Sequence, residues 1–131
     1  DARGLPIAID TAPANPHESR LVQGLFDFML SDEMPERIIG DKAYDSDALA
    51  EELAVEGIEL IAPHRKNRKP ENKTQDGRPL RRYKRRWLVE RTIGWLQHYR
   101  RLCIRWEKST VMFQGFLHFG CALLLIKQVY G

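Results

Sequence analysis

Two acidic side chains stand out by what surrounds them. Asp41 ends the short apolar run Ile38-Ile39-Gly40 and is followed by Lys42-Ala43-Tyr44-Asp45. Glu90 sits alone in Tyr83-Lys84-Arg85-Arg86-Trp87-Leu88-Val89-Glu90, among aromatic and basic groups. A carboxylate in such company is out of place unless a cation needs it. Each also has a plainer use: Glu90 as a surface residue offset by Arg86 one turn back, Asp41 as a turn or capping residue.

The elements that must hold these groups follow from pattern. The stretch from Tyr83 to Arg101 has no proline and is rich in residues that tolerate a helix. At 3.6 residues per turn, Tyr83, Arg86, Glu90, Gly94 and Gln97 fall within roughly 40° of one line along it. Trp87, Ile93, Leu96 and Tyr99 are then expected to pack inward. Arg37 to Tyr44 reads as a short buried strand, Asp45-Ser46-Asp47 as a helix N-cap, Ala48 to Val55 as the helix, and Ile58 to Ala62 as a second strand after Gly57. Strand, helix and strand with tight connections make a βαβ unit, which places Asp41 at the carboxyl end of a parallel strand, where open α/β sheets keep their sites.

The flanks are read the same way. Asp1 to Gly4 is a turn and Leu5 to Thr11 a strand. Pro13 to Glu18 is a loop with His17 as a loop or capping residue, and a helix is expected from about Glu18 to Leu30. Residues 64–80, from His64 to Leu80, are polar, without periodicity and rich in turn formers, so a mobile basic loop is expected. Leu102 to Trp106 reads as extended. A final helix over 110–130 is apolar nearly all round and suits a core or a contact with another chain.

Charge divides the chain. Residues 1–64 hold four Lys and Arg against fourteen Asp and Glu, a balance of −10, whereas residues 65–108 hold sixteen against four, a balance of +12. An acidic half can hold cations and a basic segment can track phosphates. The basic segment is interleaved with Tyr83, Trp87, Trp95, Tyr99 and Trp106, as nucleic-acid surfaces are. Its candidate phosphate contacts are Arg65, Lys66, Arg68, Lys69, Arg82 and Arg85. With 131 residues the chain suits one domain. Cys103 and Cys121 have no metal spacing and read as buried reduced thiols. The apolar run 115–126 is much shorter than the ~20 residues of a membrane span, and a soluble, cytoplasmic protein without a membrane partner is expected.

Tyr83-x-x-Arg86-x-x-x-Glu90 resembles the Y-x2-R-x3-E-x6-K signature of bacterial insertion-sequence transposases of the DDE class, with Gln97 in place of the lysine. Asp41-Lys-Ala-Tyr44-Asp45-Ser is similar to the segment bearing that group's second catalytic aspartate, and residues 1–31 resemble its GLP strand and Asn-x-His-(Asp/Glu)-Ser turn. The resemblance covers nearly the whole chain and implies an α/β, ribonuclease H-like fold. It implies a polynucleotidyl transferase that cleaves and joins DNA, with Asp41 and Glu90 as catalytic, metal-holding carboxylates for Mg²⁺ or Mn²⁺. Two such ions about 4 Å apart activate the nucleophile and stabilise charge on the phosphate. Hard oxygen ligands suit Mg²⁺, which keeps several waters. Tyr83 and Arg86 are implied to position phosphates, the arginine fork being better suited than lysine. Neutral Gln97 removes the ionic contact of the family's lysine.

By the same alignment the first aspartate of the triad lies upstream of residue 1, Asp1 is a turn residue, and Asp10 is a weak substitute. The chain is therefore expected to be a partial domain, apparently truncated and lacking the first two strands. Its expected partners are DNA, as transposon ends and target, and either a homo-oligomer or a complementing N-terminal transposase polypeptide. Two other readings stay open: a catalytically inactive DNA-binding remnant, and a generic basic module for RNA or an acidic protein.

Overall fold

The structure, a computed structural model, describes residues 1–12, 21–29, 33–73 and 77–131. Its order of elements is α1 (Val22–Phe26), β1 (Arg37–Ile39), α2 (Asp47–Val55), β2 (Glu59–Ile61), α3 (Gly77–Tyr83), α4 (Trp87–Gln97), α5 (Arg100–Cys103) and α6 (Thr110–Tyr130), with short 3-10 turns between some of them. It is a mixed α/β chain in which helix dominates. Two compact units divide it: residues 1–13, 24–30 and 87–131, and residues 14–23 and 31–86. The expected loop 13–18 with His17, and the ends of the expected helix 18–30, lie outside the described residues.

The second unit contains the βαβ. Strands β1 and β2 pair in parallel, with Arg37 opposite Glu59, Ile38 opposite Leu60 and Ile39 opposite Ile61. The register also brings Arg37 Nε to 2.9 Å from Glu59 Oε2. The Ser46 hydroxyl caps α2 by accepting the Leu49 amide, and Gly57 ends it at φ +77, a conformation glycine reaches without steric penalty. Leu49, Leu53, Ile58, Ile61 and Ala62 are buried and form the core here. This is the architecture the alternation of apolar and capping residues predicts.

The first unit departs from expectation. Leu5 to Thr11 is not a strand; a strand needs a ladder, and here helix side chains take up its polar groups instead. Asp1 Oδ1 accepts the amides of Arg3 and Leu5, making the expected turn, and Gly4 follows at φ +84. The buried Thr92 hydroxyl donates to the Gly4 carbonyl, and Arg91 donates to the Arg3 carbonyl at 2.7 Å. Farther along, His118 donates to the Ile9 carbonyl at 3.0 Å and Gln114 to Asp10 Oδ1 at 2.8 Å. A side chain at Gly4 would meet the Leu88 carbonyl at 3.2 Å.

Three further expectations change. α1 is five residues long, far shorter than the expected helix. Leu102 and Cys103 belong to α5 rather than to an extended piece. Cys121 is buried, and burial raises its thiol pKa, but Cys103 is exposed. α6 spans 21 residues, capped by Ser109, and is long and apolar enough by length and composition to cross a membrane. One of its faces already has a partner. Gly120 and Cys121 are buried, and a Cβ on Gly120 would lie 2.8 Å from Leu102 Cδ1 and 3.3 Å from Leu96 Cδ2. Glycine is what lets α6 approach α4 and α5 this closely.

Candidate functional site

The carboxyl end of β1 is tightly built. Gly40 donates its amide to the Ile61 carbonyl at 3.0 Å, and a Cβ there would fall 2.8 Å from the Tyr44 ring. The chain must therefore pass close under Tyr44 before it reaches Asp41. Asp41 then opens a 3-10 turn over Lys42–Tyr44, its Oδ1 accepting the Ala43 amide at 2.8 Å. The capping use is therefore present: Oδ1 caps the turn, and the other oxygen, Oδ2, lies 3.7 Å from Arg86 Nη1. The Arg86 guanidinium stands over the Tyr83 ring, 5.6 Å from its centroid, a cation–π arrangement. Asp41, Tyr83 and Arg86 come together in one unit from motifs forty residues apart in sequence.

The helix expected through Tyr83, Arg86 and Glu90 is not continuous. α3 ends at Tyr83, Lys84–Arg86 forms a 3-10 turn, and α4 begins at Trp87. The break falls within the cationic run Arg81-Arg82-Tyr83-Lys84-Arg85-Arg86. Glu90 and Gln97 remain on α4, seven residues apart and both exposed. Glu90 therefore faces away from the apolar interior. Trp87 does not pack inward as expected: it is 54% exposed, Ile93 is 48% exposed, and only Leu96 of the four expected core residues is buried. Arg91 instead stands between the Trp87 and Trp95 rings, at 5.0 and 4.7 Å from their centroids.

The basic segment divides into two kinds of cation. Lys66, Lys69, Arg82 and Arg85 are exposed, Lys69 with Glu71 at 3.9 Å. Arg65 and Arg68 are held inside the unit. Arg65 donates to the carbonyls of Lys42 at 3.0 Å and Ala43 at 2.9 Å. Arg68 reaches Asp45 Oδ1 at 2.7 Å, Asp47, and the Asn72 carbonyl at 2.8 Å. The stretch expected as a mobile loop is ordered by these bonds as far as its 3-10 turn at Pro70–Asn72, and α3 begins at Gly77; residues 74–76 lie outside the described ones.

Asp45 is the residue sequence reasoning undervalued. Its expected use was capping, but Ser46 is the cap. The Asp45 carboxylate, 7% exposed, gathers the His64 ring through Nδ1 at 2.9 Å, the Arg65 amide at 2.7 Å and Arg68. The signal was present: in a parallel pair, residues just past β1 and just past β2 meet. Burial opposes ionisation of Asp45, but the Arg65 amide, the His64 ring and the Arg68 charge outweigh it and hold its pKa below the ordinary carboxylate value. A depressed folded-state pKa contributes stability that is full above the unfolded value of about 4 and lost as pH falls through the folded one. Asp45→Asn should cost about 2 kcal/mol at neutral pH, the scale of charged hydrogen bonds. Urea denaturation should show the gap from wild type closing below about pH 4.

Among the described residues, no group of three or more His, Cys, Asp or Glu side chains could hold a metal ion. Asp41 remains suited to contribute to such a site: a half-exposed carboxylate with one oxygen turned towards a cationic side chain, of the hard-donor type Mg²⁺ takes in ones and twos.

A parallel strand delivering an acid beside a Tyr–Arg pair defines an α/β protein with a polar site at its strand ends. The Transposase DDE domain family matches residues 1–125, and the chain belongs to that family. It is 33% identical over 132 residues to a protein of Burkholderia cepacia named as a transposase for insertion sequence element IS402, covering 95% of this chain and 58% of that relative. It is 31% identical to one of Brucella ovis named as a transposase for element IS6501, over 97% of this chain and 93% of the relative. The chain thus spans little more than half the length of the first. No solved structure matches it.

Proposed function

We propose that the chain is part of a ribonuclease H-like catalytic domain that cleaves and transfers DNA strands at the ends of an insertion sequence, acting in the cytoplasm. The observation that carries this reading is Asp41 at the carboxyl end of β1 with Arg86 and Tyr83 beside it. Asp41 and Glu90 are the catalytic, metal-ligating carboxylates. A divalent ion, Mg²⁺ or Mn²⁺, supplies Lewis-acid stabilisation of phosphate charge and a more acidic attacking oxygen.

Arg86 binds a non-bridging phosphate oxygen pair with its fork, and the Tyr83 ring beneath fixes the plane of that fork. Exchanging the nearby Asp41 carboxylate for a phosphate keeps the guanidinium charge partnered throughout. Lys66, Lys69, Arg82 and Arg85 contact phosphates along the duplex, and exposed Gln97 donates a neutral hydrogen bond there. Arg65 and Arg68 act indirectly, by ordering the segment that carries the lysines. The partners are transposon-end and target DNA together with another polypeptide, either a second copy or an N-terminal transposase portion.

The test is a nicking assay on duplex DNA carrying the repeats that flank the chain's own coding sequence, run with the N-terminal transposase portion supplied. Nicking should appear with Mg²⁺ or Mn²⁺, stop with chelator, and be lost in Glu90→Ala. Binding that falls with salt but no nicking in any metal would favour the inactive DNA-binding remnant. Equal affinity for RNA and DNA would favour the generic basic module.

A further inference from the structure

The loop that joins α5 to α6 holds an aromatic ring in solvent on a frame that is itself tied down. Trp106 is 67% exposed and Ile104 51%. Among the described residues no ring or guanidinium stacks on the indole. The next residue is held the opposite way. Glu107, 8% exposed in its side chain, takes Arg101 Nη1 at 2.6 Å on its carboxylate. Its carbonyl accepts Arg105 Nε at 3.1 Å. Each guanidinium lies over a ring of α6, Arg101 at 4.8 Å from the Phe116 centroid and Arg105 at 5.2 Å from that of Phe113. Arg105 also donates to the Thr110 hydroxyl at 3.3 Å, and Ser109 caps α6. The loop is thus fixed on both sides of Trp106, yet leaves the indole in water.

We propose that Trp106 is a stacking platform for an unpaired nucleotide of DNA, with Arg100, Arg101, Arg105 and Lys108 holding the flanking phosphates. This rests on the DNA reading above and adds a contact outside residues 65–97. Residues 100–108 carry four Arg and Lys against one Glu, a balance of +3. Arg100 and Lys108 are exposed and have no partner among the described residues. A guanidinium has five N–H donors. Arg101 uses one on Glu107, and Arg105 uses two on Glu107 and Thr110, so both keep donors for a phosphate. The rings beneath set their planes in advance, so little side-chain freedom is lost on binding. An exposed aromatic ring beside a cationic track holds single strands because every base offers a π-face. In a duplex that face is covered by the neighbouring pairs. A protein cover fits this surface less well, since it would take unpartnered cations out of water. Phosphates pair them and leave them wet.

The experiment is fluorescence anisotropy of the full chain with labelled oligothymidine about 20 nucleotides long, longer than the usual site sizes. A duplex of the same length and oligouridine are the comparisons, each over a range of salt. Trp106→Ala should weaken oligothymidine binding about 10-fold or more and duplex binding less than about 2-fold, and Trp106→Phe, which keeps a ring, should recover most of the loss. Trp106 is exposed, so both variants should keep their circular dichroism. Arg100→Ala should lower the slope of log affinity against log salt by about 0.7, and Lys127→Ala, an exposed cation elsewhere, should not. With Trp87→Phe and Trp95→Phe the remaining tryptophan is Trp106, and oligothymidine should quench its emission. Binding of duplex but not of single strand would overturn the proposal and leave the DNA reading standing; binding of neither would end both. Trp106→Ala binding as wild type does, Trp106→Phe as weak as Trp106→Ala, equal losses on single strand and duplex, or tighter binding of oligouridine would each overturn it. So would loss of the binding when the N-terminal transposase portion is added, since the cover would then be protein.

Discussion

Asp41→Ala is expected to reduce metal-dependent strand cleavage by about 10³-fold, equivalent to ~4 kcal/mol of barrier, without weakening the grip on DNA. The two effects separate because the residue has two jobs of different weight. In its proposed role as a metal-holding carboxylate, its loss removes charge stabilisation that only the reaction uses. As a neighbour of Arg86, at 3.7 Å, it competes with phosphate for the same guanidinium, so removing it leaves affinity for duplex DNA unchanged or tighter. Its third contact, the Ala43 amide, is a single cap whose loss should lower stability by about 1 kcal/mol. Nicking rates, salt-titrated binding and urea unfolding of one variant check all three. An active Asp41→Ala would remove the carboxylate assignment; an inactive one with binding weakened in proportion would mean that Asp41 merely organises the surface.

Leu53→Ala should have the largest effect on folding, about 3–4 kcal/mol by the scale of fully buried leucines. Leu53 has no exposed surface, and the described buried apolar residues of its unit are few, Val22, Leu49, Ile58, Ile61 and Ala62 besides it. Its carbonyl also accepts the Ile58 amide at 2.9 Å, tying the end of α2 to the start of β2. A void there cannot be filled by neighbours that are themselves pinned to a two-stranded sheet. Urea unfolding should show it against Val55→Ala, where 90% exposure predicts a change within about 0.5 kcal/mol. Equal effects at the two positions would contradict the core described above.

The βαβ was legible because each boundary is written locally: Ser46 caps, Gly57 turns, and the apolar runs at 38–39 and 58–62 are short enough for strands. Residues 5–11 carry an equally good strand pattern, but a strand is a relation between two segments. Among the described residues this stretch has no ladder partner, and helix side chains hold it near its two ends, Thr92 at the Gly4 carbonyl, His118 at the Ile9 carbonyl and Gln114 at the Asp10 carboxylate. The break before Trp87 was hidden because every residue of Lys84-Arg85-Arg86 is a good helix former by its own propensity, and the 3-10 turn there leaves no mark in such a sum. Of the candidate site, the positions of Asp41 and exposed Glu90 could be read from motif and period, and the Arg86–Asp41 approach could not.

Because the Asp45 carboxylate answers to His64, Arg65 and Arg68 together, no one of these positions is free to drift. Losing the acid takes a partner from the Arg68 guanidinium, the His64 ring and the Arg65 amide, and losing Arg68 leaves an interior negative charge short of donors. Homologous chains should therefore vary at 45, 64 and 68 as a block or hold all three, while the outward lysines at 66 and 69 wander independently. The inheritance of the strand-end turn at Asp41 is thus tied to the residues that Asp45 gathers.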